Sequence, residues 1–154
     1  MVYDVRFALG FALSALLTML WLLILRRRKT AMEKLATRWN LQYRGKQLPS
    51  TFLMKSKPRP AARRKVFNVL EGTLDGNTVV IFDSIVNGTF FGQRAVFCTL
   101  IACQMADYPF PKSAKEKIIH SNGWTALYRL AELSLPGTIG TERIEQLLAE
   151  LSAE

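Results

Sequence analysis

The residues able to do acid–base, nucleophilic or metal chemistry are few and scattered along this chain. His120 is the single histidine, and no nearby motif supplies the partners that a catalytic triad or a zinc site would need. Cys98 and Cys103 form neither a CxxC pair nor a metal-ligand set, so buried free thiols are expected. The sequence therefore predicts no catalytic residue, no metal site and no cofactor.

Two weaker patterns leave an enzymatic activity open without favouring it. Glu71, Asp75 and Asp83 lie in or near a predicted hairpin, and paired carboxylates can do acid–base work. Hairpins, however, place acidic residues at turns and edges routinely. The glycine-rich stretch Gly137–Gly140 lacks the lysine of a phosphate-binding loop and follows no clear strand.

The strongest signal in the chain is an apolar segment, Phe7–Leu25, that contains no charged residue. At a rise of about 1.5 Å per residue it forms a helix of about 28 Å, close to the roughly 30 Å of a bilayer core. A cleaved signal peptide would have a basic start, a shorter apolar core and a small-residue cleavage site, whereas Asp4 precedes this segment and Arg26 follows it. Residues 1–29 are therefore predicted to be a transmembrane anchor with a basic stop.

The flanking charges predict the orientation of this anchor. Arg6 alone precedes the segment, whereas Arg26–Lys29 follow it at once, and Lys/Arg-rich flanks stay in the cytoplasm. We expect a single-pass protein of a bacterial inner membrane, with its N-terminus outside and residues 30–154 in the cytoplasm. Gly10, Ser14 and Thr18 recur at every fourth position, a spacing that lets two helices approach closely. Such triplets are common in membrane segments, so ordinary composition is the preferred interpretation, and helix packing or a homodimer is the alternative.

Basic residues account for a formal net charge of +9, and they are concentrated in two clusters. The first is the stop sequence and the second is a proline-interrupted loop over residues 55–65. Both are predicted to contact anionic lipid. A solvated loop or a protein partner is the alternative, and nucleic-acid binding is disfavoured because no aromatic residues are interleaved for base stacking. The residues concerned are Arg26, Arg27, Arg28, Lys29, Lys55, Lys57, Arg59, Arg63, Arg64 and Lys65.

Residues 30–154 are predicted to form one α+β domain with a mainly antiparallel sheet of about four strands flanked by helices. A helix is expected over about 31–40, and the capping-box residues Thr30 and Glu33 favour a break after Lys29, although continuity with the anchor stays open. Strands are expected over 66–73, 78–86, 94–105 and 124–130. The third of these is apolar on both faces, so the sheet must be covered on both sides or curl toward a barrel.

Local signals predict the turns and the remaining helices. Asp75–Gly76 is typical of a tight hairpin turn. Ser113 and Glu116 suggest a second capping box and a short helix near 114–119. Thr141 is predicted to cap a final helix whose apolar stripe consists of Ile144, Leu147, Leu148 and Leu151.

The segment Phe67–Ser84, with its N-V-L-E-G…G…V…F-D hairpin, resembles a pattern in small bacterial membrane-anchored proteins of uncharacterised function. Ala31–Tyr43 and Thr99–Ala102 are similar to further elements of that pattern, whereas the segment after Pro111 departs from it. The resemblance implies a fold and offers no catalytic residues. The sequence thus predicts a membrane-tethered interaction or scaffold module; the alternative is a small-ligand binder or enzyme with a pocket on the sheet.

Overall fold

A computed structural model describes residues 2–52, 64–86, 96–111, 113, 116–130 and 139–153. Two helices and six strands occur among them. In chain order they are α1 (Val2–Arg38), β1 (Gln42–Gly45), β2 (Arg64–Leu74), β3 (Asn77–Val86), β4 (Val96–Cys103), β5 (Glu116–Ser121), β6 (Trp124–Leu130) and α2 (Thr141–Leu151). The predicted α+β class, with a long apolar helix at the N-terminus, is confirmed.

Helix α1 runs without interruption through the proposed anchor and into the domain. Its 37 residues make a helix of about 55 Å. Thr30 begins no new helix, since Arg, Lys, Ala, Met and Glu around it are all good helix formers. A Schellman motif ends the helix: Asn40 adopts a φ of 52°, and the Leu41 N–H donates to the Ala36 carbonyl at 2.8 Å.

All strands pair antiparallel in one open sheet of order β1-β2-β3-β4-β6-β5. The sheet has six strands, so the expectation of about four was too low. The extended segment after α1 is the edge strand β1, and β5 forms the other edge. Two tight turns join the hairpins: Asp75 and Gly76 have φ values of 46° and 82°, and Asn122 and Gly123 have 53° and 77°. Positive φ at both central residues suits a two-residue hairpin turn.

The short helix expected near 114–119 is wrong, because β5 occupies most of this segment. The local pairing behind that expectation does exist: the Ser113 N–H donates to Glu116 Oε2 at 2.8 Å, and the Glu116 N–H donates to the Ser113 carbonyl at 3.0 Å. The Asn122–Gly123 turn nevertheless folds this segment back along β6, where Ile118 pairs with Leu127. The hairpin pairing therefore prevails over the capping signal.

The central strands are buried on both faces, as predicted. We name the two sides of the sheet the helix face and the opposite face. On the helix face, the C-terminal half of α1 and helix α2 cover a core that includes Met32, Leu35, Ile101 and Leu148. On the opposite face, where the described residues include no helix, Phe52 packs edge-on against the rings of Phe82 and Trp124. The sheet remains open at β1 and β5 and does not close into a barrel.

Helix α2 has the predicted apolar stripe but not the predicted cap. Ile144, Leu147, Leu148 and Leu151 are all buried against the sheet. The residue that caps the helix is Gly140, and Thr141 is the first helical residue; no side chain hydrogen-bonds to the cap. Packing of the stripe therefore positions this helix, and α2 is tied to α1 by the exposed ion pair of Arg38 with Glu145.

The β2–β3 turn provides a test of this hairpin. A Cβ at Gly76 would meet no atom within 4 Å, so any cost of a substitution comes from its φ of 82° and not from a clash. We expect Gly76→Val to lower the free energy of unfolding by about 1–2 kcal/mol. Urea unfolding of the full chain in detergent micelles, followed by tryptophan fluorescence, measures this. Gly76→Asn is the control, because asparagine enters the left-handed region at lower cost; equal stability of the Val variant and the native chain would contradict the turn.

Candidate functional site

The N-terminal part of α1 is apolar on every side and is covered by nothing in the structure. Phe7 and Phe11 are 79% and 80% exposed, and none of the apolar window of this helix is buried. By length and composition this helix is able to cross a membrane, and the described residues contain one such helix. The all-round exposure separates it from a core helix, which would bury at least one stripe.

Where α1 reaches the sheet, Arg28 forms an ion pair with Asp83 of β3. Its Nε donates to Asp83 Oδ2 and its Nη2 donates to Asp83 Oδ1, both at 3.0 Å. The Asp83 side chain is 1% exposed and the Arg28 side chain is 14% exposed. This two-point geometry fixes both the position and the rotation of α1 over the sheet.

The remaining acceptor positions of the Asp83 carboxylate are also occupied. The Thr99 hydroxyl donates to Oδ1 at 2.6 Å, and the Asn68 amide donates to Oδ2 at 3.0 Å. Tyr43 in turn donates its hydroxyl to Asn68 Oδ1 at 3.0 Å. We refer to Arg28, Tyr43, Asn68, Asp83 and Thr99 as the Asp83 cluster. Each carboxylate oxygen accepts two hydrogen bonds, which is the full capacity of an ionised carboxylate.

Strand register and one β-bulge bring the Asp83 cluster together. Thr99 of β4 pairs directly with Asp83, which places both side chains on the helix face. Asn68 belongs to the neighbouring strand, where the β2–β3 register shifts between Phe67 and Leu70. Its φ of 52° is one that asparagine tolerates better than most residues. The bulge turns the Asn68 amide toward the carboxylate, which a regular strand would not do.

The electrostatics of the Asp83 cluster favour a structural role over proton transfer. A buried carboxylate is costly unless a cation and hydrogen bonds compensate it, and here both are present. Burial, together with the negative charges of Glu33 and Asp83, raises the pKa of the Tyr43 hydroxyl, so this residue stays a neutral donor. With every acceptor position on Asp83 filled, the carboxylate has no free lone pair for a substrate proton.

Beside the Asp83 cluster, α1 and the sheet line a cavity of about 500 Å³ that is open to solvent on one side. We call it the α1–sheet cavity. Apolar side chains make most of its wall and basic side chains surround them. The lining residues are Leu22, Leu25, Arg26, Lys29, Lys46, Lys65, Val66, Phe67, Asn68 and Ile85. A cavity of this size falls in the range of small-molecule sites.

The basic residues predicted to contact lipid do not all lie on the same surface of the structure. Arg26 and Lys29 are exposed and line the α1–sheet cavity, as does Lys65. Arg27 is exposed away from the cavity, whereas Arg28 is held in its ion pair. Arg64 begins β2, and its side chain lies outside the described part of the chain, as do Lys55, Lys57, Arg59 and Arg63. Lipid contact by these residues stays a prediction.

The small residues proposed for helix packing lie on the exposed part of α1. No atom lies within 4 Å of a Cβ built at Gly10, and the Thr18 hydroxyl donates to the Ser14 carbonyl of its own helix at 2.8 Å. This face therefore offers close approach, and the Thr18 hydroxyl is already satisfied within its own helix. Packing of a second helix against it stays a prediction.

The candidate chemical residues of the sequence do not form a common site among the described residues. Glu71 pairs with Arg44, Asp75 lies in the exposed turn, and Asp83 is buried in its cluster. The half-exposed His120 has Nδ1 at 3.0 Å from the Thr125 hydroxyl and 3.5 Å from Asp107. No group of three metal-ligating side chains occurs in the part of the chain that the structure describes.

Both cysteines are buried thiols that form no disulfide, and they lie on opposite faces of β4, as the sequence predicts. Cys98 Sγ lies 2.9 Å from the Ser84 hydroxyl. Burial raises the pKa of the Cys103 thiol to about 11, which keeps it protonated and unreactive near neutral pH. Both side chains are therefore core residues, and the protonated Cys103 thiol is a poor nucleophile.

Sequence reasoning missed the Asp83 cluster, although one signal for it was present. Asp83 follows Val79 and Ile81 at alternate positions of a strand, and such positions share one buried face. An acidic residue there requires a partner, and the sequence offers no indication that the partner is Arg28. Within a run of four basic residues, Arg28 is indistinguishable from its neighbours until the rotation of α1 is known.

No protein-family model, curated protein or solved structure matches this chain. The functional interpretation therefore rests on the geometry of α1, the Asp83 cluster and the α1–sheet cavity.

The Arg28–Asp83 ion pair should be a major determinant of domain stability. We expect Arg28→Met to lower the free energy of unfolding by about 3–5 kcal/mol, because it leaves a buried carboxylate unpaired. Arg27→Met is the matched control, and its effect should stay within about 0.5 kcal/mol because Arg27 is exposed. Urea unfolding of the full chain in micelles measures both variants.

The single variant Asp83→Leu and the double variant Arg28→Met with Asp83→Leu complete a double-mutant cycle. The double variant removes both charges together, so it should recover part of the stability lost by Arg28→Met. Additive losses in the double variant would show that the two side chains do not interact in solution.

Proposed function

We propose that this protein is a single-pass component of a bacterial inner membrane whose cytoplasmic α+β domain acts as an interaction or scaffold module. The observation that carries this proposal is the division of α1 into two parts within one continuous helix. The N-terminal part is exposed and apolar, and the C-terminal part is buried in the domain core through Met32, Leu35 and Ala36. A helix built in this way transmits the orientation of the anchor directly to the domain.

The orientation proposed for the membrane follows from the charges at the two ends of the apolar segment. Four basic residues, Arg26–Lys29, follow the segment on its domain side, and Arg6 precedes it. Basic flanks are retained in the cytoplasm. The domain side of α1 is accordingly the cytoplasmic side.

An interaction module is favoured over an enzyme by the state of the candidate catalytic groups. The Asp83 carboxylate is saturated by hydrogen bonds, and the Cys103 thiol is buried with a raised pKa. Neither group is available to a substrate. The edge strands β1 and β5 and the exposed surface of α2 then offer binding surfaces in the cytoplasm.

The α1–sheet cavity supports the second candidate function, a small-ligand binder. The cavity is lined mainly by apolar side chains with several basic groups, which is the composition of many ligand sites. It differs from the predicted pocket in that one of its walls is the membrane-proximal part of α1. Ligand binding there is compatible with a scaffold role, since the two use different surfaces.

Cysteine accessibility in intact bacterial cells tests the proposed topology. Because Cys98 and Cys103 are buried, the native chain should give little background labelling. We expect Val2→Cys to react with a membrane-impermeant maleimide in intact cells with a permeable outer membrane, and the exposed position Lys117→Cys to react only after lysis. Both variants should stay in the membrane after alkaline carbonate extraction. Labelling of Lys117→Cys in intact cells would contradict the cytoplasmic domain, and extraction by carbonate would contradict the anchor.

Cross-linking in cells followed by mass spectrometry tests the interaction role. The control is a chimera in which residues 1–29 carry an unrelated soluble domain. Proteins cross-linked to the native chain and not to the chimera would support a specific cytoplasmic partner. An identical set of cross-linked proteins would contradict the interaction module.

A further inference from the structure

One face of α1 changes from apolar to basic as the helix leaves the proposed membrane segment. Leu22, Leu25, Arg26 and Lys29 all line the α1–sheet cavity. Their spacing of i, i+3, i+4 and i+7 places them on one side of the helix. Leu25 is the last residue of the uncharged segment, so this face crosses from the hydrocarbon to the headgroup level of the bilayer within the cavity itself.

The wall that the sheet contributes to the cavity likewise combines apolar and basic side chains. Lys65 of β2 pairs directly with Ile85 of β3, and both line the cavity together with Phe67. Lys46, which follows β1, adds another exposed lysine. The cavity therefore has an apolar interior between Leu22, Leu25 and the sheet, and cations from both walls at its mouth.

The charge of the α1–sheet cavity is of one sign. Its basic groups are Arg26, Lys29, Lys46 and Lys65, and none of the described residues that line it carries a carboxylate. Lys29 lies 3.6 Å from Glu33, but both side chains are about half exposed, so this pair is weak and leaves Lys29 able to bind a stronger anion. Asn68, the one uncharged polar residue in the lining, already donates its amide to Asp83.

We propose that the α1–sheet cavity binds one molecule of an anionic glycerophospholipid. The lipid phosphate lies among Arg26, Lys29, Lys46 and Lys65, and the first part of an acyl chain packs against Leu22, Leu25 and the sheet. Basic pockets beside transmembrane helices on the cytoplasmic side bind acidic headgroups in this way. The inference rests on the proposed membrane anchoring and adds a ligand class to it.

A bound lipid would connect α1 to the sheet next to the Asp83 cluster. Lys65 and Phe67 belong to the same strand as Asn68, and Ile85 lies two residues beyond Asp83. Anionic lipid in the cavity would therefore reinforce the orientation that the Arg28–Asp83 pair sets. The orientation of the domain on the membrane would then depend on the lipid composition.

Native mass spectrometry of the full chain in detergent micelles tests this proposal with defined lipids. We expect phosphatidylglycerol to bind at least about ten-fold more tightly than phosphatidylcholine with the same acyl chains, since its net negative charge is attracted by the basic residues of the cavity. The variant Lys46→Gln with Lys65→Gln should lose most of this preference. The control, Lys34→Gln with Lys117→Gln, removes the same charge at exposed positions outside the cavity and should retain the preference.

Two further measurements distinguish binding of a lipid from binding of a free anion. Inorganic phosphate at millimolar concentration should not displace phosphatidylglycerol, and Ile85→Trp, which fills the cavity without changing its charge, should weaken lipid binding several-fold. Displacement by phosphate, equal binding of the two lipids, or equal effects of the two lysine pairs would overturn the proposal. Any of these results could occur while the protein resists carbonate extraction and Lys117→Cys reacts only after lysis. Failure of the lipid proposal is therefore distinguishable from failure of the proposed topology.

Discussion

Burial of the Asp83 carboxylate is the constraint on which the arrangement of α1 and the sheet depends. An ionised carboxylate in the centre of a sheet requires a cation and hydrogen-bond donors. Thr99 and Asn68 supply donors from the neighbouring strands, and Arg28 supplies the charge from α1. Because the guanidinium binds through two nitrogens, α1 has one rotation and one height at which the pair forms.

This requirement links the membrane segment to the domain. The helix does not break after its basic stop, and Arg28 lies within the stop itself. Met32, Leu35 and Ala36 then bury the next turns in the core, and the Schellman motif at Asn40 returns the chain into β1. The proposed membrane anchor is therefore continuous with a core helix of the domain, and the described residues contain no flexible linker between the two.

The same feature explains the position of the α1–sheet cavity. Toward its N-terminus, α1 is held to the sheet at Arg28 and no longer packs closely beyond it. Leu22 and Leu25 of α1 and Ile85 of the sheet line the space between them. In the proposed membrane orientation, the basic residues of the cavity would lie near the lipid phosphates and its apolar residues near the first methylenes of the acyl chains.

The sequence predicted correctly those turns and helices whose conformation depends on residues close in the chain. The Asp75–Gly76 turn and the apolar stripe of α2 both depend on neighbouring residues, and both were predicted correctly. A short helix was predicted near 114–119 because Ser113 and Glu116 match a capping box. The two residues do interact, yet the strand state of Glu116–Ser121 depends on β6, which follows in the chain. Tertiary pairing of this kind outweighs a capping signal.

The candidate site was less predictable than the fold, for a physical reason. A basic residue after an apolar segment serves as a stop signal whichever way its side chain points, so Arg28 resembled Arg26 and Arg27. Only the rotation of α1 over the sheet distinguishes them. Likewise, Asn68 reaches Asp83 only because of a β-bulge, in which it adopts a φ of 52°. Nothing in the sequence indicates that a bulge occurs at this position.

The central claim is that the Arg28–Asp83 pair holds the domain at one orientation relative to the anchor. Pulsed electron–electron distance measurement in lipid nanodiscs tests it, with spin labels at the exposed positions Leu16→Cys and Lys117→Cys. We expect a single narrow distance distribution for the native cluster, retained by the Arg27→Gln control and broadened by Arg28→Gln. A broad distribution in the native chain, or one left unchanged by Arg28→Gln, would contradict the claim.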